Sequence, residues 1–263
     1  MKTSIGFRLF RWVALALFAA FFALPLLSML DFSTQMPGGK PGRTGEAWAN
    51  MVRDEALRNS IITSLVLALF TVVVMIVLLV PTMIWVRLRV PGASKLVEML
   101  CLLPLTIPAL VIVVGIKNVM LWVSYFIGDT PMALTFPYVV LVLPFCYRAI
   151  DSALSAIDVR TLSEAARSLG AGWLTVFVRI VLPNIVTGVL SGAFVAVALV
   201  LGEYTFSSLL NYDTLPVQIA AIYKLDTRTS VATSLAAILF ASALLLGLSY
   251  FSQGRRTQKG TTT

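Results

Sequence analysis

Charged residues are scarce in this 263-residue chain, and two groups of polar and turn-forming residues stand out. The first is Glu164, Ala165, Ala166, Arg167 and Gly170, in the stretch EAARSLGAGWLTVFVRIVLP that runs from residue 164 to 183. The second is Glu203 with Tyr204, Asn211 and Asp213. Neither group sets a nucleophile beside a base, and the apolar segments hold no carboxylate dyad for acid–base work. The chain has no histidine, and its two cysteines, Cys101 and Cys146, both fall inside apolar runs. That pattern argues against a transition-metal site and against a disulfide. LGAGW contains glycines but no lysine and follows a helical segment, so it is not a phosphate-binding loop. No G-x-x-x-x-G-K-[ST] occurs elsewhere. No catalytic residue, bound cofactor or metal is expected on this chain.

The elements that must position these residues are dictated by composition. The chain is 59% hydrophobic and 12% charged, with a mean hydropathy of +0.92. A soluble domain carries roughly 25% charged residues, so the expected class is an all-α polytopic membrane protein. At about 20 apolar residues per span, the length fits about six transmembrane helices in a single domain. The spans are expected at about 9–30, 59–86, 96–120, 132–152, 184–210 and 231–251, with a core of about 57–252. Pro104 and Pro108 lie inside the third and should kink it. The first follows Lys2, Arg8 and Arg11 but is longer than a signal-peptide core and lacks a small-x-small cleavage site, so it reads as an uncleaved span. The 252–263 tail is polar and basic and is expected to be disordered.

The net charge of +8 does not point to nucleic acid, because no basic run is interleaved with aromatics. Basic residues instead flank the apolar segments. The N-terminus, the 87–95 loop, the 153–183 segment and the tail share one side and hold most of the lysines and arginines. By the positive-inside rule that side is cytoplasmic, with both termini inside. The 31–57 loop, with Arg58 at its edge, balances Lys40, Arg43, Arg53 and Arg58 against Asp31, Glu46, Asp54 and Glu55, and is expected outside. Trp12, Trp85, Trp122 and Trp173 fall near span ends, where an aromatic belt is the ordinary reading. Lys117 and Arg148 should snorkel or pair near span ends. Gly188 and Gly192 form a GxxxG, which either admits a close helix neighbour or reflects the frequency of glycine in membrane helices.

The 153–183 segment encodes a helix, a turn and a second helix. Thr161 and Glu164 fit a capping box that would start a helix at about Leu162. Gly170 is placed to end it in a left-handed conformation. Pro183 suits the first turn of the next span. Ala165 and Ala166 keep the first helix slim enough to lie in a groove on another protein.

These residues also carry a family pattern: E-A-A, three residues, G, nine residues, I-x-L-P, complete here as Glu164, Ala165, Ala166, Gly170, Ile180, Leu182 and Pro183. It resembles the EAA loop of the permease subunits of bacterial type I ABC importers. NSIITSLVLALFTVVVMIVLLVPTMIWVRLRV and LLPLTIPALVIVVGI look like that family's core. LGEYTFSSLLNYDTLPVQIAAIY is similar to the second permease of the spermidine/putrescine branch. Related branches handle iron, sulfate, molybdate, thiamine and aminoethylphosphonate.

The resemblance implies a permease fold in the bacterial inner membrane and alternating access. It implies a homologous permease partner, a dimer of ATP-binding subunits that carry ATP-Mg, and an extracytoplasmic substrate-binding protein. Glu164, Ala165, Ala166, Arg167 and Gly170 would form the coupling helix that docks on the ATPase. Glu203 lies roughly 28 Å along the fifth span at 1.5 Å per residue. There it could attract a cationic substrate, with Tyr204, Asn211 and Asp213 beside it, or serve as a solvated helix-end acid. A secondary transporter driven by an ion gradient would more often show inverted repeats and several buried charges, and neither is evident. A membrane assembly protein without transport is opposed only by the coupling pattern.

Overall fold

The computed structural model describes residues 5–257. Among them the chain is helical and contains no β-strand, only an isolated antiparallel bridge between Gln35 and Arg43. Contacts gather it into two compact units. One runs to Arg58 and takes in Gln218–Leu246; the other is built on Asn59–Val217.

In the first unit, α1 (Ile5–Thr34) covers the expected first span and extends beyond it at both ends. Its large apolar side chains, such as Phe10, Trp12 and Phe21, are exposed, as suits a surface solvated by lipid. The 31–57 segment, expected as a loop, contains the helix α2 (Glu46–Arg53). Arg43 bridges back to Asp31 and donates to Thr34 Oγ1 at 2.8 Å. Trp48 Nε1 donates to Ser33 Oγ at 3.2 Å, which fixes α2 against the end of α1. Helix α12 (Thr227–Thr257) contains the expected sixth span. It continues through the first half of the tail expected to be disordered, while 258–263 lie outside the described residues.

The second unit begins in α3 (Glu55–Arg89). The expected third span proves to be broken. Helix α4 (Ser94–Leu102) gives way to a 3-10 turn at Leu103–Thr106, and α5 (Ala109–Ile127) starts anew after Pro108. Two prolines within five residues remove two amide donors. Ile107, which precedes Pro108, is forced to extended backbone (φ −110°, ψ 123°). The membrane-length piece is thus 109–127, not 96–120.

Helix α6 (Thr135–Ser155) is the most deeply buried span, with Tyr138, Val142, Cys146, Ile150 and Leu154 on its inner face. α9 (Leu182–Gly202) packs along it. It is entered through α8 (Trp173–Thr175) and a π-helical turn, Val176–Val181. Pro183 accounts for the π turn: it lacks an N–H and crowds the carbonyl four residues back, so the preceding backbone takes up an extra residue. Asn184 Nδ2 donates instead to the Ile180 carbonyl at 2.7 Å. The fifth span is therefore 173–202, not 184–210. Gly188 faces Ala149 and Ala153 of α6, and Gly192 faces Cys146, whose Sγ donates to the Gly192 carbonyl at 3.3 Å. Of the two readings of the GxxxG, close helix approach is the one realised.

Five helical segments of the described residues are long and apolar enough to cross a membrane: 6–34, 55–89, 109–127, 131–155 and 173–202. At one end of α3, Arg87 pairs with Asp151 at 2.7 Å and donates to Ser155 Oγ at 2.6 Å, tying α3 to the last turns of α6.

Candidate functional site

The charged segment between α6 and α9 folds as a short capped helix, α7 (Val159–Ser168). Its start differs from the expected capping box. Asp158 is the N-cap: its carboxylate accepts from the Thr161 amide at 3.1 Å and from the Thr161 hydroxyl at 2.7 Å. These bonds, the hydroxyl's first, hold the Asp158 carboxyl below its ordinary value. The cap therefore contributes at neutral pH and is lost as pH falls through that depressed value. Thr161, the third residue of the helix, is the donor to that cap, and Glu164 turns outward to Arg160 at 2.9 Å. The competing signal was Asp158 itself, which caps at least as well as threonine.

The far end of α7 follows the expectation. Gly170 has φ +86°. Its amide donates to the Arg167 carbonyl at 2.9 Å, and the Ala171 amide to the Ala166 carbonyl at 3.1 Å. This is a Schellman closure, and it needs a residue that tolerates positive φ. Val159 and Ser163 are buried and Ala166 packs on the core, which seats one face of α7. Glu164, Ala165, Arg167 and Gly170 are exposed on the other, and Leu169 beside them is 90% exposed. A rigid, seated helix thus presents a slim face with an apolar tip.

Sequence reading missed what holds this loop to α3. The guanidiniums of Arg89 and Arg167 lie 4.4 Å and 4.3 Å from the centre of the same Trp173 ring, and Arg89 is also 5.9 Å from Trp85. Trp85 and Trp173, assigned to an aromatic belt, are here the stacking surfaces for two arginines. The pairing was not readable, since the partners are about 80 residues apart.

The second group follows the end of α9. Glu203 follows the last residue of α9 and is 9% exposed. One carboxylate oxygen accepts from the Thr205 amide at 2.8 Å, and the other from the Phe206 amide at 3.0 Å and the Tyr138 hydroxyl at 3.0 Å. Tyr138 also shares a 2.6 Å hydrogen bond with Ser207. Glu203 thus starts α10 (Thr205–Leu209) and ties it to α6. Tyr204 is exposed nearby. Asn211 is exposed at φ +58°, a left-handed turn position that asparagine tolerates. Asp213 is exposed in the next turn. The neighbour that organises their loop, unnoticed in the sequence, is Tyr212, which donates to Asp129 at 2.9 Å.

Comparison with known proteins agrees with this architecture. The spermidine/putrescine transport system permease protein PotC of Escherichia coli (strain K12) is 31% identical over 133 residues, 49% of this chain and 50% of the relative. The spermidine/putrescine permease PotB of the same organism is 33% identical over 82 residues, 31% of this chain and 30% of its own. The molybdenum transport system permease protein ModB, also of Escherichia coli (strain K12), is 36% identical over 135 residues, 45% of this chain and 56% of its own. The chain thus spans about half the length of the first of these relatives. Residues 49–259, most of the chain, match the binding-protein-dependent transport system inner membrane component family. With membrane-length helices joined by a capped, outward-facing α7, and a family match of that extent, the chain belongs to the binding-protein-dependent transport system inner membrane components.

Proposed function

We propose that this chain is a transmembrane permease subunit of an ATP-driven type I ABC importer, with polyamines as its cargo. The observation that carries the reading is α7: one face is seated on the core, both ends are closed by their own hydrogen bonds, and the other face is exposed. Such a helix can receive a push from a partner and pass it to α6 and α9 as a rigid piece. ATP-binding subunits would supply the push, with ATP-Mg bound on them. A homologous permease would complete the pathway, and an extracytoplasmic binding protein would deliver substrate. Polyamine cargo is supported by similarity to PotC and PotB, with ModB as the counterweight. Glu203 adds little to that argument, because its carboxylate is engaged inside the fold.

The test is copurification with the ATP-binding subunits and the binding protein, followed by ATPase stimulation across polyamines, molybdate and metal ions. Polyamines should stimulate and the others should not; stimulation by molybdate alone would reassign the cargo. Gly170→Val should uncouple ATPase activity from substrate, since a β-branched residue at left-handed φ costs about 1–2 kcal/mol and disrupts the closure. Glu164→Ala removes only an exposed pair within α7, so thermal stability should stay at the wild-type value while coupling falls. Wild-type coupling in both variants would remove the docking role from α7.

The same reading places α7 and both termini in the cytoplasm. A membrane-impermeant maleimide added outside should label Lys40→Cys and miss Gly172→Cys. Both native cysteines are buried, which keeps the background low. The reverse pattern would invert the topology.

A further inference from the structure

We infer that the groove between α3 and the α8–π segment is a binding site for an anionic phospholipid, headgroup on Arg89 and Arg167 and acyl chain along α3. The groove has a volume of about 260 Å³ and is lined by Pro81, Ile84, Trp85, Leu88, Leu174 and Phe177. All but the tryptophan are fully apolar, and the tryptophan is the residue type that sits at the headgroup level. Arg89 is the last residue of α3, so the charged mouth lies where a membrane-length helix ends. From Pro81 to Arg89 the groove follows α3 for roughly 12 Å, an acyl-chain path beside a charged head.

The charge at the mouth is unbalanced. Arg89 and Arg167 both stack on Trp173 and cannot be further apart than 4.3 and 4.4 Å taken together. Neither forms an ion pair with a carboxylate among the described residues. Two like charges held on one indole call for an anion, and guanidiniums suit phosphate oxygens. Basic pockets between membrane helices on the cytoplasmic side take anionic headgroups. A bound lipid would also join α3, Arg167 of α7 and Trp173 into one unit. The site rests on the membrane placement of these helices and not on the identity of the cargo.

The experiment is native mass spectrometry of the full chain, loaded with phosphatidylglycerol or phosphatidylcholine of the same acyl composition. The wild type should retain phosphatidylglycerol in preference. Arg89→Gln and Arg167→Gln should each reduce the preference about fivefold, and Arg43→Gln, far from the groove in sequence and paired with Asp31, should not. Should either arginine variant fail to fold, Leu174→Gln supplies the independent arm. Leu174 is 77% exposed, so the fold should tolerate the change while lipid retention drops. Equal retention of the two lipids by the wild type overturns the site. So does a wild-type preference in the arginine variants and in Leu174→Gln. Thermal stabilisation by inorganic phosphate as large as that by phosphatidylglycerol would assign the arginines to a free anion and overturn the lipid.

Discussion

Gly188→Ala is expected to push α9 off α6 and to lower the stability of the chain by about 2 kcal/mol, the range for overfilling a packed contact. A Cβ at Gly188 would overlap the Ala153 Cβ and stand 2.8 Å from the Ala149 carbonyl oxygen. Neither neighbour can yield, since one is a methyl on a buried helix and the other is backbone. The matched control is Gly192→Ala. Its Cβ would meet nothing nearer than the Cys146 Cα at 3.4 Å, an ordinary contact. That variant should lie within about 1 kcal/mol of wild type. Thermal unfolding of the two purified variants in the same detergent separates them. Equal stability would mean that α6 and α9 do not approach as closely as described. Gly188→Val should be worse than Gly188→Ala, and a smaller residue at position 153, as in Ala153→Gly, should recover only the part of the loss due to that methyl.

Glu203→Ala should cost about 3 kcal/mol, because it strips acceptors from two amides and a tyrosine hydroxyl at once. Tyr138 is fully buried and keeps only its bond to Ser207. The Thr205 and Phe206 amides lose the group that starts α10. Glu203→Gln is milder. Its remaining oxygen can still take an amide, and its NH₂ can donate to the tyrosine oxygen, so about 1 kcal/mol is expected. Tyr138→Phe in the same background closes a double-mutant cycle, and the two residues should couple by more than 0.5 kcal/mol or so. These values come from unfolding; uptake by the assembled complex is the second readout. Glu203→Gln with wild-type stability and lost polyamine uptake would restore an electrostatic role at the pathway. Glu203→Ala with wild-type stability would sink the structural role.

Much of this protein was legible before folding. The apolar runs announce membrane helices because burial in lipid depends on composition and length alone. Pro104 and Pro108 mark a bend in the third span, and Gly170 marks the end of α7. Each acts through its own covalent geometry and a few neighbours. The helix and turn of the 153–183 segment were readable for the same reason: the bonds that close α7 are local. Even there the choice between Asp158 and Thr161 as the cap was made only by the folded chain, because both are good acceptors three residues apart.

The rest was decided by tertiary packing. Two prolines can kink a helix or break it, and only the surroundings chose the break. A GxxxG becomes a contact only when another helix lies on that face, and α6 does so at Gly188. Glu203 looked like an acid near an aqueous mouth, because nothing near it in sequence shows that Tyr138, 65 residues earlier, will meet it. Trp173 gained its two arginines in the same way, one of them from the far end of α3. Sequence by itself determined that long apolar helices recur along the chain and that α7 stops at Gly170, since those follow from composition, single residues and short-range bonds. Partnership between distant side chains depends on helix register and crossing, set jointly by every residue along two faces, and the tertiary structure alone decided it.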